Sequence, residues 1–169
     1  NYIFEKAPAV FGIEKAPERT ERYEFLSTAD IKNIFQENNW FPHTVSQVRV
    51  QKRTIARKDY AKHLITFTNP DLPTVNGVFP QIALVNSHDG YNSLKMMAGL
   101  YRLICANGLI VSDSEFETIV VRHNHYAHER ITEGINNIID LVPKIVAKTE
   151  AMRAINMKVV DQMNYAENV

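Results

Sequence analysis

The sequence predicts an α+β fold: an antiparallel sheet of three to four strands, then a core helix, then a long C-terminal helical region. Three observations lead to this prediction. Segments rich in β-branched residues cluster between residues 43 and 87, a segment with helical apolar spacing follows them, and an apolar seam repeats beyond residue 126. A length of 169 residues, with 45% hydrophobic and 22% charged side chains, fits one globular domain.

The N-terminal stretch, residues 1–21, shows little periodicity and contains Pro8 and Pro17, so we expect an arm there. A single domain is expected over residues 22–169, with its helical region starting near residue 126. The chain begins with Asn rather than Met, which leaves open that it is a fragment of a longer protein.

A first helix is predicted to begin at Ser27, whose hydroxyl can cap the free N–H groups of the first turn, with Asp30 at the third helical position. Its apolar face recurs at helical spacing and consists of Ile31, Ile34 and Phe35. Trp40 and Pro42 mark the region where it ends.

Three strands are predicted next, over residues 43–55, 62–68 and 81–87. The third is apolar on both faces, so we expect it at the centre of the sheet. A further strand is predicted at 116–123, directly before the C-terminal helical region.

The core helix is predicted over residues 91–105, after Asp89 and Gly90. Asn107 and Gly108 would end it, because both tolerate the left-handed conformation of a helix C-terminus. Its apolar positions follow three-four spacing: Leu94, Met97, Ala98, Tyr101, Ile104 and Cys105.

The C-terminal region carries a heptad seam made of Ile131, Ile135, Ile138, Val142, Ile145, Thr149 and Met152. Pro143 interrupts it and predicts a kink or a break near 139–143. Two interpretations stay open: the helix packs on its own sheet, or it also builds the interface of a homo-oligomer.

Composition excludes several classes of protein. The sequence has no run of eighteen apolar residues that could span a membrane and no recognisable signal peptide, so a cytoplasmic protein is expected. The single Cys105 rules out an internal disulfide and lies on the apolar face of the predicted core helix. The net charge is zero, which counts against a strongly basic nucleic-acid-binding domain.

The charge is nevertheless uneven, because residues 43–63 contain six cations and the single acid Asp59. In a strand, Gln47, Arg49, Gln51 and Arg53 would share one face, which suits a phosphate backbone. A solvated hairpin is the alternative. The predicted nucleic-acid-binding residues of this segment are Arg49, Lys52, Arg53, Arg57, Lys58 and Lys62.

A second candidate stripe lies on the predicted core helix, where Asn92, Lys95, Gly99 and Arg102 would fall opposite the apolar face. Lys95 and Arg102 could contact phosphate beside the basic hairpin. A salt-bridged packing surface is the alternative interpretation.

Histidines after the last strand, His123, His125 and His128, have a spacing that could hold zinc, but junction histidines making hydrogen bonds are the favoured interpretation. The turn Asn86–Gly90 could bind an anion at a helix N-terminus, or simply cap that helix. We therefore predict no catalytic residue, no metal site and no cofactor, and a protein that is not an enzyme.

Two motifs carry a resemblance to a known family. Asn-Ser-His-Asp-Gly at 86–90, followed by Gly-Leu-Tyr-Arg-Leu-Ile-Cys-Ala-Asn-Gly at 99–108, resembles the phage/plasmid-like proteins of domain of unknown function 932. That family typically has Phe where Tyr101 stands and Ser where Ala106 stands. The resemblance covers residues 22–155. A weaker analogy, at the level of the fold, is to the single-strand annealing proteins of phage recombination.

The resemblance implies a protein of a mobile element, carried near recombination or anti-restriction functions. The leading expectation is a DNA-binding protein that anneals single-stranded DNA in recombination, as a homo-oligomer. The alternative is a protein-binding inhibitor of a host defence or restriction system, whose partner would be a host protein and not DNA.

Overall fold

The computed structural model describes residues 2–74, 79–103, 110–112, 118–156 and 158–167, with side chains except at 52–55, 100–103, 110–112, 153 and 164–167. Its helices are α1 (Tyr2–Lys6), α2 (Thr28–Glu37), α3 (Ala127–Ala154) and α4 (Val159–Glu167), with 3₁₀ helices at Pro8–Phe11 and Lys52–Tyr60. Its strands are β1 (Phe41–Gln47), β2 (His63–Thr68), β3 (Pro80–Asn86), β4 (Leu94–Leu103), β5 (Ile110–Ser112) and β6 (Thr118–Val121).

The strands form one antiparallel sheet in the order β1-β2-β3-β4-β6. The short strand β5 pairs with the last three residues of β4. Among the residues that the structure describes, the main sheet thus has five strands where the sequence predicts three to four, but the α+β class and the long C-terminal helix are confirmed. The third predicted strand does lie at the centre, as β3.

Strand alternation gives the sheet two faces. The inner face carries buried apolar side chains, among them Ile65, Phe67, Ile82, Leu84, Leu94 and Met96. The intervening positions point the other way and form the outer face, among them Ser46, Leu64, Val85, Lys95 and Val120. Lys62 directly precedes β2, and the same alternation with the inward His63 turns it to this face.

Helices α2 and α3 pack on the inner face. The Phe35 ring of α2 lies 4.7 Å from the Phe67 ring of β2. Gly134 of α3 approaches the sheet so closely that a Cβ added there would lie 2.8 Å from Cε of Met96. The predicted N-cap of α2 is confirmed, since the Ser27 hydroxyl accepts a hydrogen bond from the Asp30 N–H at 3.2 Å.

The predicted core helix over 91–105 is wrong, because residues 94–103 form β4. The segment is rich in good helix formers, but pairing along β3 overrides that propensity. Residues 104–108, with Cys105, lie outside the described residues. The predicted strand 43–55 is also wrong in its second half, since β1 ends at Gln47 and a 3₁₀ helix follows.

The heptad seam of α3 divides at its middle. Its first half is buried on the protein's own sheet at Ile131, Ile135, Ile138 and Val142, whereas Met152 is 59% exposed. Pro143 lies inside α3, and the helix continues through it rather than breaking. Within the described part of the chain, no helix has both the length and the apolar character required to cross a membrane.

Candidate functional site

The turn that joins β3 to β4 begins with a buried asparagine. The Asn86 amide donates hydrogen bonds to the Leu26 carbonyl oxygen at 3.1 Å and to the Thr28 hydroxyl at 2.9 Å. Its own side-chain oxygen accepts from the Ser87 N–H at 2.9 Å. Asn86 therefore fastens the start of α2 to the end of β3.

His88 fastens two further segments to the same turn. Its Nε2 donates to the Ala9 carbonyl oxygen at 3.0 Å, and its backbone oxygen accepts from the Ala16 N–H at 2.9 Å. Its backbone N–H donates to the Tyr60 carbonyl oxygen at 3.0 Å, at the end of the second 3₁₀ helix. Since Nε2 carries the proton, Nδ1 is a buried acceptor without a described hydrogen-bond partner.

Two other histidines also hydrogen-bond to the N-terminal segment. His63 Nδ1 donates to the Ala61 carbonyl oxygen at 2.9 Å, so its Nε2 accepts from the Thr28 hydroxyl at 2.8 Å. His123 Nδ1 donates to the Glu24 carbonyl oxygen at 3.1 Å. Histidines in β2, in the turn after β3 and after β6 thus hold residues 9–28 against the sheet.

Burial keeps these imidazoles neutral. Burial lowers the pKa of His63 to about 4, and burial followed by the nearby His63 lowers the pKa of His88 to about 3. Burial also lowers the pKa of His123, whose ring stacks on Tyr23 at 4.5 Å between centroids.

The remaining polar groups of the turn satisfy each other. The Asp89 carboxylate accepts from the Ser87 hydroxyl at 2.7 Å and from the Tyr91 N–H at 3.0 Å. Gly90 has φ of +74°, and the Arg19 side chain packs where a Cβ would stand. The motif at 86–90 is therefore a structural joint between the N-terminal segment and the sheet, and the helix that it was predicted to cap does not exist.

The outer face of the sheet differs from the hydrogen-bonded turn at 86–90, because cations are exposed at one end of this face. Lys62, which directly precedes β2, pairs with Val48 through the hydrogen bond from the Val48 N–H to its carbonyl oxygen at 2.9 Å. Lys95 lies on β4 opposite Val85. Arg122 directly follows β6, and the alternation that buries Val121 turns it outward. All three cationic side chains are exposed.

The three cations form a compact group. Neighbouring strands lie about 4.8 Å apart, so Lys62 and Arg122, three strands apart, are separated by roughly 15 Å with Lys95 between them. Among the described strand residues of the outer face, none is acidic. Exposed Ser46, Val48 and Val120 lie beside the cations.

The predicted Arg/Gln face at 47–53 does not form, because Gln47 is turned inward. Its side-chain oxygen accepts from the Ala9 N–H at 2.9 Å, and its amide donates to the Lys58 carbonyl oxygen at 2.7 Å. Arg49 is exposed in the loop after β1, and Lys58 is exposed on the 3₁₀ helix. The side chains of Lys52 and Arg53, in that same helix, lie outside the described set.

Arg57 is exposed but paired, since its guanidinium lies 3.1 Å from the Glu18 carboxylate. The predicted helical stripe with Lys95 and Arg102 is wrong, because both belong to β4. Of these two, Lys95 still reaches the outer face, and the side chain of Arg102 is not among those described. Sequence reasoning missed Arg122, whose place depends on the register between β6 and β4.

The histidines after β6 have separate partners. His123 binds the Glu24 carbonyl oxygen, His128 Nε2 lies 3.3 Å from the Glu24 carboxylate, and the His125 ring contacts Tyr126. No group of three or more metal-ligating side chains comes together within the part of the chain that the structure describes. His123 and His128 instead make hydrogen bonds to Glu24.

Comparison with known proteins gives a family without an assigned activity. The family model described as "Domain of unknown function (DUF932)" matches residues 17–169. Two relatives from Escherichia coli (strain K12) are similar over 153 residues: UPF0380 protein YafZ at 31% identity and UPF0380 protein YfjQ at 30%. The match covers 90% of this chain and 55% of each relative, so the chain spans about half of their length. No solved structure matches.

Proposed function

The chain belongs to the DUF932 family, and we propose that within it this domain binds DNA across the outer face of its sheet. The observation that carries the proposal is the group of exposed cations Lys62, Lys95 and Arg122 on a face whose described strand residues include no acid. Each cation placed on a phosphate releases condensed counterions, which favours binding of any DNA sequence. A net charge of zero overall does not oppose this, because the charge that matters is local.

Two further cations lie in the segment beside Lys62. Arg49 and Lys58 are exposed in the segment that leaves β1 beside Lys62, and they can extend the path of the phosphate backbone. Arg57 is partly neutralised by Glu18 and contributes less. In the neighbouring turn, the Asp89 carboxylate accepts a hydrogen bond from the Ser87 hydroxyl.

Reversing the three outer-face cations tests the site. The variant Lys62→Glu/Lys95→Glu/Arg122→Glu should bind an oligonucleotide at least roughly 100-fold more weakly at low salt, since each of the three lost contacts at ~4 Å contributes about 1 kcal/mol in water and each Glu adds repulsion. The slope of log affinity against log salt should fall by about 2, because ~0.7 counterion is released per phosphate of a single strand. Fluorescence anisotropy at two salt concentrations measures both quantities.

The matched control reverses three exposed lysines on the helical side, as Lys144→Glu/Lys148→Glu/Lys158→Glu, and should bind much more tightly than the outer-face variant. Equal binding by the parent and the outer-face variant would refute the site. A parent that binds no DNA at low salt, yet co-purifies with a host nuclease, would refute DNA binding and favour an inhibitor of host defence.

A further inference from the structure

Exposed aromatic side chains occupy the opposite end of the outer face. Phe41 opens β1 opposite Thr68 and turns outward, while its neighbour Trp40 is buried. Phe79 directly precedes β3, and alternation with the buried Pro80 places it on the outer side as well. The two rings are 43% and 49% exposed although each is next to a buried residue.

The positions of the two rings are set by the strands. Phe41 and Phe79 are separated by strand β2, so their backbones lie roughly 10 Å apart across the sheet. From Val85, the partner of Lys95, to Phe79 the chain runs six residues, or roughly 20 Å. The cationic end and the aromatic end are therefore far enough apart to engage different nucleotides of one strand.

Resting on the proposed DNA binding, we infer that the ligand is single-stranded: its phosphates lie on Lys62, Lys95 and Arg122 and its bases stack on Phe41 and Phe79. A phenyl ring offers no hydrogen bond, so it selects unpaired bases by their faces and not by sequence. A duplex keeps its base faces stacked inside, and would have to unstack to reach these rings.

An abasic strand separates stacking from charge, because it has the same phosphates and no bases. The parent should bind an oligothymidine of roughly 12 nucleotides at least about fivefold more tightly than an abasic strand of equal length. It should also prefer that oligothymidine to a duplex of the same length. The variant Phe41→Leu/Phe79→Leu keeps apolar side chains on the sheet, and should bind the two strands equally.

Circular dichroism checks that the Leu variant is folded, and Tyr126→Leu, at a 54% exposed aromatic residue where α3 begins, is the matched control. That control should keep the preference for the strand with bases. If the parent binds the abasic strand or the duplex as tightly as the oligothymidine, the inference is overturned and the proposed DNA binding stands. If the parent binds none of the three, both are overturned.

Discussion

Lowering the pH from 7 to 5 should reduce the free energy of unfolding by about 4 kcal/mol, because two buried histidines remain neutral in the folded protein. The pKa of His63 is lowered to about 4 and that of His88 to about 3, from an ordinary value of 6.5. Each therefore contributes about 2 kcal/mol to the difference between these two pH values. Their side chains are 2% and 0% exposed, so solvent screens this effect little.

The direction of this change follows from proton uptake. Well above pH 6.5 neither the folded nor the unfolded state protonates these rings, and their contribution to stability is complete. Below pH 6.5 the unfolded state binds protons that the folded state cannot, so stability falls with pH. The loss from His63 levels off near pH 4 and that from His88 near pH 3, where the folded protein also takes up the proton.

Urea unfolding at pH 7, 6 and 5 measures the loss, and the histidine ring signals followed by NMR show where each imidazole titrates. His88→Gln places an amide donor near the Ala9 carbonyl oxygen and removes one titrating ring, so its stability should depend less on pH than that of the parent. His125→Gln, at an exposed position, is the matched control and should keep the parent's pH dependence. Equal unfolding free energies at pH 7 and pH 5 would refute the prediction.

Replacing Asn86 with Ala should destabilise the protein by about 4 kcal/mol, because three buried polar groups each lose a hydrogen bond, and two of them lose the hydrogen bond that the structure gives them. These are the Leu26 carbonyl oxygen, the Thr28 hydroxyl and the Ser87 N–H. Each buried group left unsatisfied costs about 1–3 kcal/mol.

Thermal and urea unfolding of Asn86→Ala at pH 7 provide the measurement. Asn92→Ala is the control, since Asn92 makes one long hydrogen bond, 3.3 Å, to the Ser87 hydroxyl in the same turn. We expect that control to lose less than about 1 kcal/mol. If Asn86→Ala also lowers the free energy of unfolding by less than about 1 kcal/mol, the turn does not fasten α2 to the sheet.

Local signals predicted much of the fold. The Ser27 cap, the strands now seen as β2 and β3, and the buried first half of the α3 seam all depend on neighbours within a few residues. β4 was missed because its Leu, Met and Ala positions satisfy helical spacing as well as alternation. Only the pairing with β3 decides between the two.

The candidate site was predictable only in part. Lys62 was named from the strand now seen as β2, and Lys95 from a helix that does not exist. They share a face because β2, β3 and β4 pair in one register. Arg122, Phe41 and Phe79 join them through pairing between strands that are distant in the sequence, which no local pattern reports. Sequence composition located the cations but could not tell which of them share a face.

Residues 9–28 are held by side chains that come later in the sequence, so these hydrogen bonds cannot form until the later residues have been synthesised. His63 follows Thr28 by 35 residues in the sequence, His88 follows Ala9 by 79, and His123 follows Glu24 by 99. At about 5–20 residues per second, the last of these partners leaves the ribosome roughly 5–20 s after the segment it binds. Until β2 and β3 have been made, Val10 and Leu26, which are fully buried in the finished fold, have no sheet to cover them. Residues 9–28 therefore leave the ribosome before the partners that hold them, and we expect them to dock only after those partners have followed.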